Sequence, residues 1–168
     1  MFAPTDVALS ERVAALEQRL QQLEGRPEPV ASGSADQFWA LDGLRSRTES
    51  PGAVLFTGTV TLPSGEHYDW QQEFLVGDLL EEPWEPLGEA LSALSHPVRL
   101  VLLRALLEGA RTVGELHERA SLGTSGQLYH HLRPLMGAGW VRTTARGTYA
   151  VPAERVVPLL VVLAAVGA

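Results

Sequence analysis

The apolar positions of this chain change period twice along its length. Leu9, Val13, Leu16, Leu20 and Leu23 recur at spacings of four and three, the a/d seam of a heptad helix. Glu11, Arg12, Glu17 and Arg19 flank it, and Gly25, Pro27 and Pro29 stop it. An amphipathic helix packed on its own domain would show a similar stripe, but the strictness of the seam favours a short intermolecular coiled coil over 1–25. Residues 26–35, "RPEPVASGSA", have the composition of a linker. "DQFWALDGL" then predicts a short helix with Asp36 as its cap. From Gly52 the period becomes two. Val54, Phe56, Gly58 and Val60 alternate on one strand and Tyr68, Trp70, Gln72 and Phe74 on the next, around a Pro63–Ser64–Gly65 turn. A lone hairpin is marginal in water, so this one must pair with another strand or cover a helix or a second subunit.

After Leu87 the pattern is helical. Leu87, Leu91 and Leu94 predict one short helix, broken at Ser95–His96–Pro97. Pro97 starts a second, with Leu100, Leu103, Leu106 and Leu107 inward and Gly109 as its stop. Thr112 and Glu115 form a capping box for a third. Thr124 caps a fourth, which runs to Ala138 and ends at Gly139. "WVRTTARGTYAV" predicts two short strands around Ala145–Arg146–Gly147, and a final helix begins near Pro152.

Composition sharpens the picture at few points. With 45% apolar and 20% charged residues, the chain is that of an ordinary globular protein. Cysteine is absent, which excludes disulfides, thiolate metal sites and thiol redox chemistry. Lysine is absent as well, so all thirteen basic residues are arginine, a side chain suited to phosphate and guanine edges. The net charge of −7 argues against a nucleic-acid partner until it is divided along the chain. Residues 1–84 hold fourteen Asp or Glu against five Arg, while 85–168 hold six Glu against eight Arg. The acidity lies in the first half, and the second half carries +2.

Helix, short helix, turn, longer helix and an arginine-tipped hairpin follow in the order of a winged helix-turn-helix. "HPVRLVLLRAL" (96–106), "TVGEL" (112–116), "SGQLYHHLRPLMGAGWV" (125–141) and "RGTYAV" (146–151) resemble the ArsR-type winged-helix transcription regulators. The resemblance covers residues 87–166. It implies DNA binding as a homodimer joined through terminal helices. Metal sensing in that family usually relies on cysteines, which are missing here, and its alternative sites need His and carboxylates on the last helix, where only Glu154 stands.

At 100° per residue, Leu128, Leu132 and Leu135 share a buried stripe of the predicted recognition helix. His131 falls at the edge of that stripe and His130 on the opposite side, so the two histidines are not expected to chelate one ion. The residues expected to meet DNA follow from this geometry. Thr124 and Ser125 at the helix start suit a phosphate, and Gly126 permits close backbone approach. Gln127 can pair with adenine and Arg133 with guanine or phosphate. Tyr129 and His130 flank that face, and Arg142 and Arg146 flank or tip the wing. "ELHERA" lacks the second histidine of a zinc helix, and neither a nucleophile elbow nor a glycine-rich phosphate loop is present, so no catalytic residue, metal or cofactor is expected.

The sequence therefore predicts an α+β, mainly α, chain. A coiled-coil-like helix (1–25), a linker (26–35) and a small hairpin-bearing extension (36–84) precede a winged helix-turn-helix with a terminal dimerisation helix (85–168). Its expected role is a homodimeric, sequence-specific regulator that binds double-stranded DNA; a winged helix used as a protein-binding adaptor is the alternative. Val156, Leu159, Leu160 and Leu163 belong to a terminal run so apolar that a second copy is its natural cover. Pairing of the Leu9–Leu23 seam within that dimer, or between dimers to make a tetramer, would add a second contact. Phe56, Tyr68, Trp70, Phe74, Trp39 and Trp84 could line a pocket for an apolar effector, although a small hydrophobic core accounts for them better. No leader pattern is visible, and Val156–Val166 covers eleven residues where a membrane span needs ~20, so a cytoplasmic location is expected.

Overall fold

The computed structural model describes residues 37–167. The chain divides into two units, Met1–Arg47 and Thr48–Ala168. The Leu9–Leu23 seam, the linker and Asp36 lie outside the described residues. In the first unit helix α1 (Trp39–Arg45) begins after Phe38, which makes no side-chain cap bond.

The second unit opens with the hairpin of β1 (Ala53–Thr61) and β2 (His67–Leu75). Its register sets Val54 opposite Phe74, Phe56 opposite Gln72, Gly58 opposite Trp70 and Val60 opposite Tyr68, as the alternation requires. Gly65, at φ 87°, closes the turn, and Leu62 donates its N–H to the Glu66 carbonyl at 2.9 Å. Helix α2 (Val76–Glu81) follows directly.

Helices α3 (Leu87–Leu94) and α4 (Pro97–Leu107) meet at 84°. His96 makes the corner: its Nδ1 accepts the Val98 N–H at 3.2 Å, and Pro97 fills the first helical position, where no N–H is needed. Helix α5 (Val113–Arg119) carries the predicted capping box, in which Thr112 Oγ1 accepts from Glu115 N and the Glu115 carboxylate from Thr112 N. That carboxylate also accepts the Arg111 N–H. Bonds from the Thr112 and then the Arg111 backbone hold its pKa at about 2. Helix α6 (Ser125–Gly137) is followed by Gly139 at φ 72°, a conformation glycine adopts freely. Strands β3 (Arg142–Ala145) and β4 (Thr148–Ala150) form the wing, and α7 (Ala153–Gly167) ends the described chain.

Leu102, Leu103, Leu106, Leu116, Leu128, Leu132, Leu135, Val156 and Leu159 are all at or below 1% exposure and form the centre of the core. Two details differ from the sequence reading. On α4 Leu102 is buried while Leu100 and Leu107 are only half-buried at the flanks. On α3 the buried pair is Ala93 and Leu94, and Leu87 and Leu91 face outward. Trp140, 4% exposed, ties α3 to the wing by donating its indole N–H to the Ala90 carbonyl at 2.9 Å.

The larger correction concerns α7. Its apolar surface was expected at a subunit interface, but Val156, Val157 and Leu159 are buried within one chain. The hairpin provides the cover: β1 and β2 both lie against α7, with the Gly58 side of the sheet turned to the helix. A Cβ at Gly58 would stand 2.7 Å from Val157 Cγ1, so strand and helix approach this closely only because position 58 has no side chain. Leu160 is half-buried; Leu163 and Val166, at the far end, remain exposed. The hairpin thus packs in the same unit as the helix-turn-helix rather than in a separate extension. For the hairpin aromatics the sequence favours a small hydrophobic core over an apolar effector pocket. Phe56 and Phe74 stack on each other at 6.2 Å, Trp84 is exposed and bonded to the Leu79 carbonyl, and Trp39 belongs to the first unit. Among the described residues no single helix is long and apolar enough to cross a membrane.

Replacing Gly58 by Ala should destabilise the fold by about 1–3 kcal/mol, the usual cost of overpacking. Adding Val157→Ala to Gly58→Ala should recover part of the loss, so that denaturant unfolding of the two single variants and the pair gives a non-additive cycle. Additive costs would mean that the two side chains do not meet.

Candidate nucleic-acid interface

Helix α6 separates a buried and a solvent face as its leucine spacing demands. Leu128, Leu132 and Leu135 are fully buried, whereas Thr124, Ser125, Gly126, Gln127, Tyr129, His130 and Arg133 are exposed. At its start a second capping box forms: Thr124 Oγ1 accepts from Gln127 N, and Gln127 Oε1 accepts from Gly123 N at 3.0 Å and Thr124 N at 3.3 Å. Gln127 is therefore engaged in holding the helix end. A bidentate pair with adenine uses the amide oxygen as well as the amide nitrogen, so it requires this cap to open. Gly126 has no internal reason to be glycine, since a Cβ there would meet only Thr124 Oγ1 at 3.9 Å.

The wing is a short antiparallel ladder with Arg142 opposite Ala150, Thr143 opposite Tyr149, and a bulge before Ala145. Gly147, at φ 73°, makes its tip beside Arg146. The wing is anchored at its base. Tyr149 N–H donates to the Arg111 carbonyl at 2.8 Å, and Thr112 pairs with Thr148 as a third-strand bridge. Tyr149 is buried, which raises its pKa, and the charge and hydroxyl of Tyr129 on α6 add to the shift.

The arginines of residues 85–168 sort into two groups. Arg104 and Arg119 share Glu108, Arg111 pairs with Glu66 at 3.0 Å, Arg99 donates to the Ser92 and Ala93 carbonyls, and Arg155 lies 5.1 Å above the Trp140 ring. Arg133, Arg142 and Arg146 make no hydrogen bond or ion pair among the described residues. One unpaired guanidinium stands on α6 and two on the wing. No carboxylate occurs between Glu118 and Glu154, a feature that the +2 balance of the whole half concealed.

His130 and His131 diverge as the helical wheel requires. His131 is half-buried, 4.6 Å from the His96 ring and 5.2 Å from the His130 ring, centre to centre. Its Nδ1 is buried and has no partner among the described residues. No group of His, Asp or Glu there could hold a metal. Burial, then the neighbouring His96, His130 and Arg99, hold the His131 pKa below its ordinary 6.5. From the sequence alone His96 stands only within a helix break, Ser95–His96–Pro97. The signal for its capping role was the Pro97 that follows it.

A family model described as a helix-turn-helix domain matches residues 94–144, the span from the end of α3 into β3. The comparison with curated proteins returned no match. The segment is thus similar to helix-turn-helix domains, a domain type that supports double-stranded DNA binding and transcription regulation.

The lowered His131 pKa sets the sign of a pH effect. The folded protein keeps this ring neutral while the unfolded chain protonates it, so stability is full above about pH 6.5 and falls as the pH drops below it. Urea midpoints at pH 7.5 and 5.5 should therefore differ, with the lower value at pH 5.5, and His131→Phe should narrow the gap. An unchanged gap in that variant would remove His131 as its source.

Proposed function

We propose that the chain is a sequence-specific DNA-binding transcriptional regulator of the winged-helix, ArsR-like kind, acting as a homodimer. The observation that carries this reading is the set of unpaired guanidiniums, Arg133 on α6 and Arg142 and Arg146 on the wing. The run between Glu118 and Glu154 that carries all three contains no Asp or Glu of its own. In this reading α6 enters the major groove, with Arg133 at a guanine edge or a phosphate. Thr124, Ser125 and Gly126 approach the backbone, Tyr129 and His130 flank them, and Arg142 and Arg146 take phosphates or the minor groove. Two copies would set their helices in half-sites about one helical turn, ~34 Å, apart.

The dimer reading rests on apolar surface left uncovered within one chain: Leu163 and Val166 at the end of α7, and Leu87 and Leu91 on α3. Leu9, Val13, Leu16, Leu20 and Leu23 would add a heptad contact. A second reading, a protein-binding adaptor, draws on the same exposed apolar side chains, together with Leu80 and Trp84.

The two readings separate on one set of variants. Arg133→Ala should cost about 1–3 kcal/mol of operator affinity and relax selectivity at one base position, whereas Arg142→Ala and Arg146→Ala should each lower the salt slope by about 1. Gly126→Ala should stabilise the helix by up to ~1 kcal/mol and still weaken DNA binding. Fluorescence anisotropy on selected genomic fragments checks all four. A triple arginine variant that keeps its DNA affinity would overturn the DNA reading, and one that loses DNA but keeps a protein partner would separate the two activities. For assembly, light scattering should give a dimer that Leu163→Glu with Leu87→Glu reduces to a monomer. A full-length monomer would overturn the homodimer, and a tetramer that falls to a dimer when the chain begins at Ala35 would assign the heptads to contacts between dimers.

A further inference from the structure

Between the β1–β2 turn and the wing lies a cavity of about 290 Å³. Leu62, Leu106, Leu107 and Val156 supply apolar wall, and Tyr68, Glu66, Arg111 and Arg142 line it with polar groups. The charges there do not balance. Glu66 is bound to Arg111, and Arg142 has no carboxylate among the described residues. The cavity therefore faces two guanidiniums with one carboxylate, a surplus of a single positive charge.

We propose that this cavity is an effector site for a small amphipathic monocarboxylate, and that an occupied site draws Arg142 away from the DNA backbone; the second half of the statement rests on the DNA-binding reading. Three observations define the ligand. At ~30 Å³ per water the space holds about ten waters, which suits a molecule of roughly ten non-hydrogen atoms. Its apolar wall requires a hydrocarbon body. Its charge balance calls for a monoanion, because a dianion would face the Glu66 carboxylate across the cavity without a compensating cation. A carboxylate fits the fork of an arginine in two parallel hydrogen bonds; Glu66 already meets Arg111 through one, at 3.0 Å.

The position of the site ties it to the wing. Arg142 begins β3, and the backbone of Arg111 holds β4 through the Tyr149 N–H. Glu66 belongs to the hairpin that covers α7. A carboxylate seated between Arg142 and Arg111 thus bridges hairpin, α4–α5 connection and wing, and occupies a guanidinium that would otherwise meet phosphate.

Calorimetric titration of the full chain with octanoate, phenylacetate and octanamide tests the site without DNA. At least one carboxylate should bind with a Kd below ~1 mM, and octanamide should not. Arg142→Gln should weaken that binding about tenfold, the loss of one charged hydrogen-bonding partner. Glu66→Gln should tighten it by freeing Arg111. No binding by either carboxylate, equal binding of octanamide, or unchanged affinity in Arg142→Gln would each overturn the site. With DNA present, the bound carboxylate should lower operator affinity. A carboxylate that binds as expected while operator affinity stays constant would overturn the coupling alone, and a protein that binds the carboxylate but no DNA would overturn the DNA reading and leave the site standing.

Discussion

Helix α7 presents apolar side chains around most of its circumference, and its first turns, through Val156, Val157 and Leu159, are kept from water. The rest of the unit is arranged around that constraint. The helix-turn-helix covers one side of α7 through Val156 and Leu159, which join the leucine core, and the hairpin covers another through the contact of Gly58 with Val157. Each partner solves a problem of the other. A two-stranded ribbon is too small to stand in water by itself, and a winged helix of this size has too little body to enclose a helix of this composition. Only a side-chain-free position on the strand lets the two surfaces meet without a gap or a clash.

The electrostatics follow a similar division. Carboxylates are spent where they hold structure. Glu115 closes the box at the start of α5, Glu108 gathers Arg104 and Arg119, and Glu66 fastens the hairpin turn to Arg111. Exposed pairs of this kind contribute little stability each. Their consequence for function is that positive charge is neutralised away from α6 and the wing and left free upon them. The interior histidine follows an opposite logic. His131 packs beside His96, and burial lowers its pKa, so its ring contributes packing to α6.

The apparent conflict between an acidic protein and a nucleic-acid partner dissolves at this scale. Net charge describes the long-range field of the whole chain, but at physiological ionic strength that field is damped within ~8 Å. What a phosphate would meet at α6 is set by the side chains within that distance, and α6 and the wing themselves carry arginine and no Asp or Glu.

Local order was legible in the sequence wherever a period or a cap sufficed to specify it. The leucine stripe of α6, the Thr112–Glu115 capping box, the Thr124 cap, the alternation of the hairpin strands and the wing turn at Gly147 all stand where spacing and turn chemistry put them, because each depends on neighbours a few residues away. Helical phase likewise separated His130 from His131. The cover of α7, the outward Leu87 and Leu91, and the partition of the arginines were not legible. Gly58 meets Val157 and Glu66 meets Arg111 across separations that no local pattern encodes. Apolar composition states that a surface must be covered; only the tertiary packing decides whether the cover comes from the same chain, because burial of apolar surface is non-directional and is satisfied by whichever complementary face arrives first.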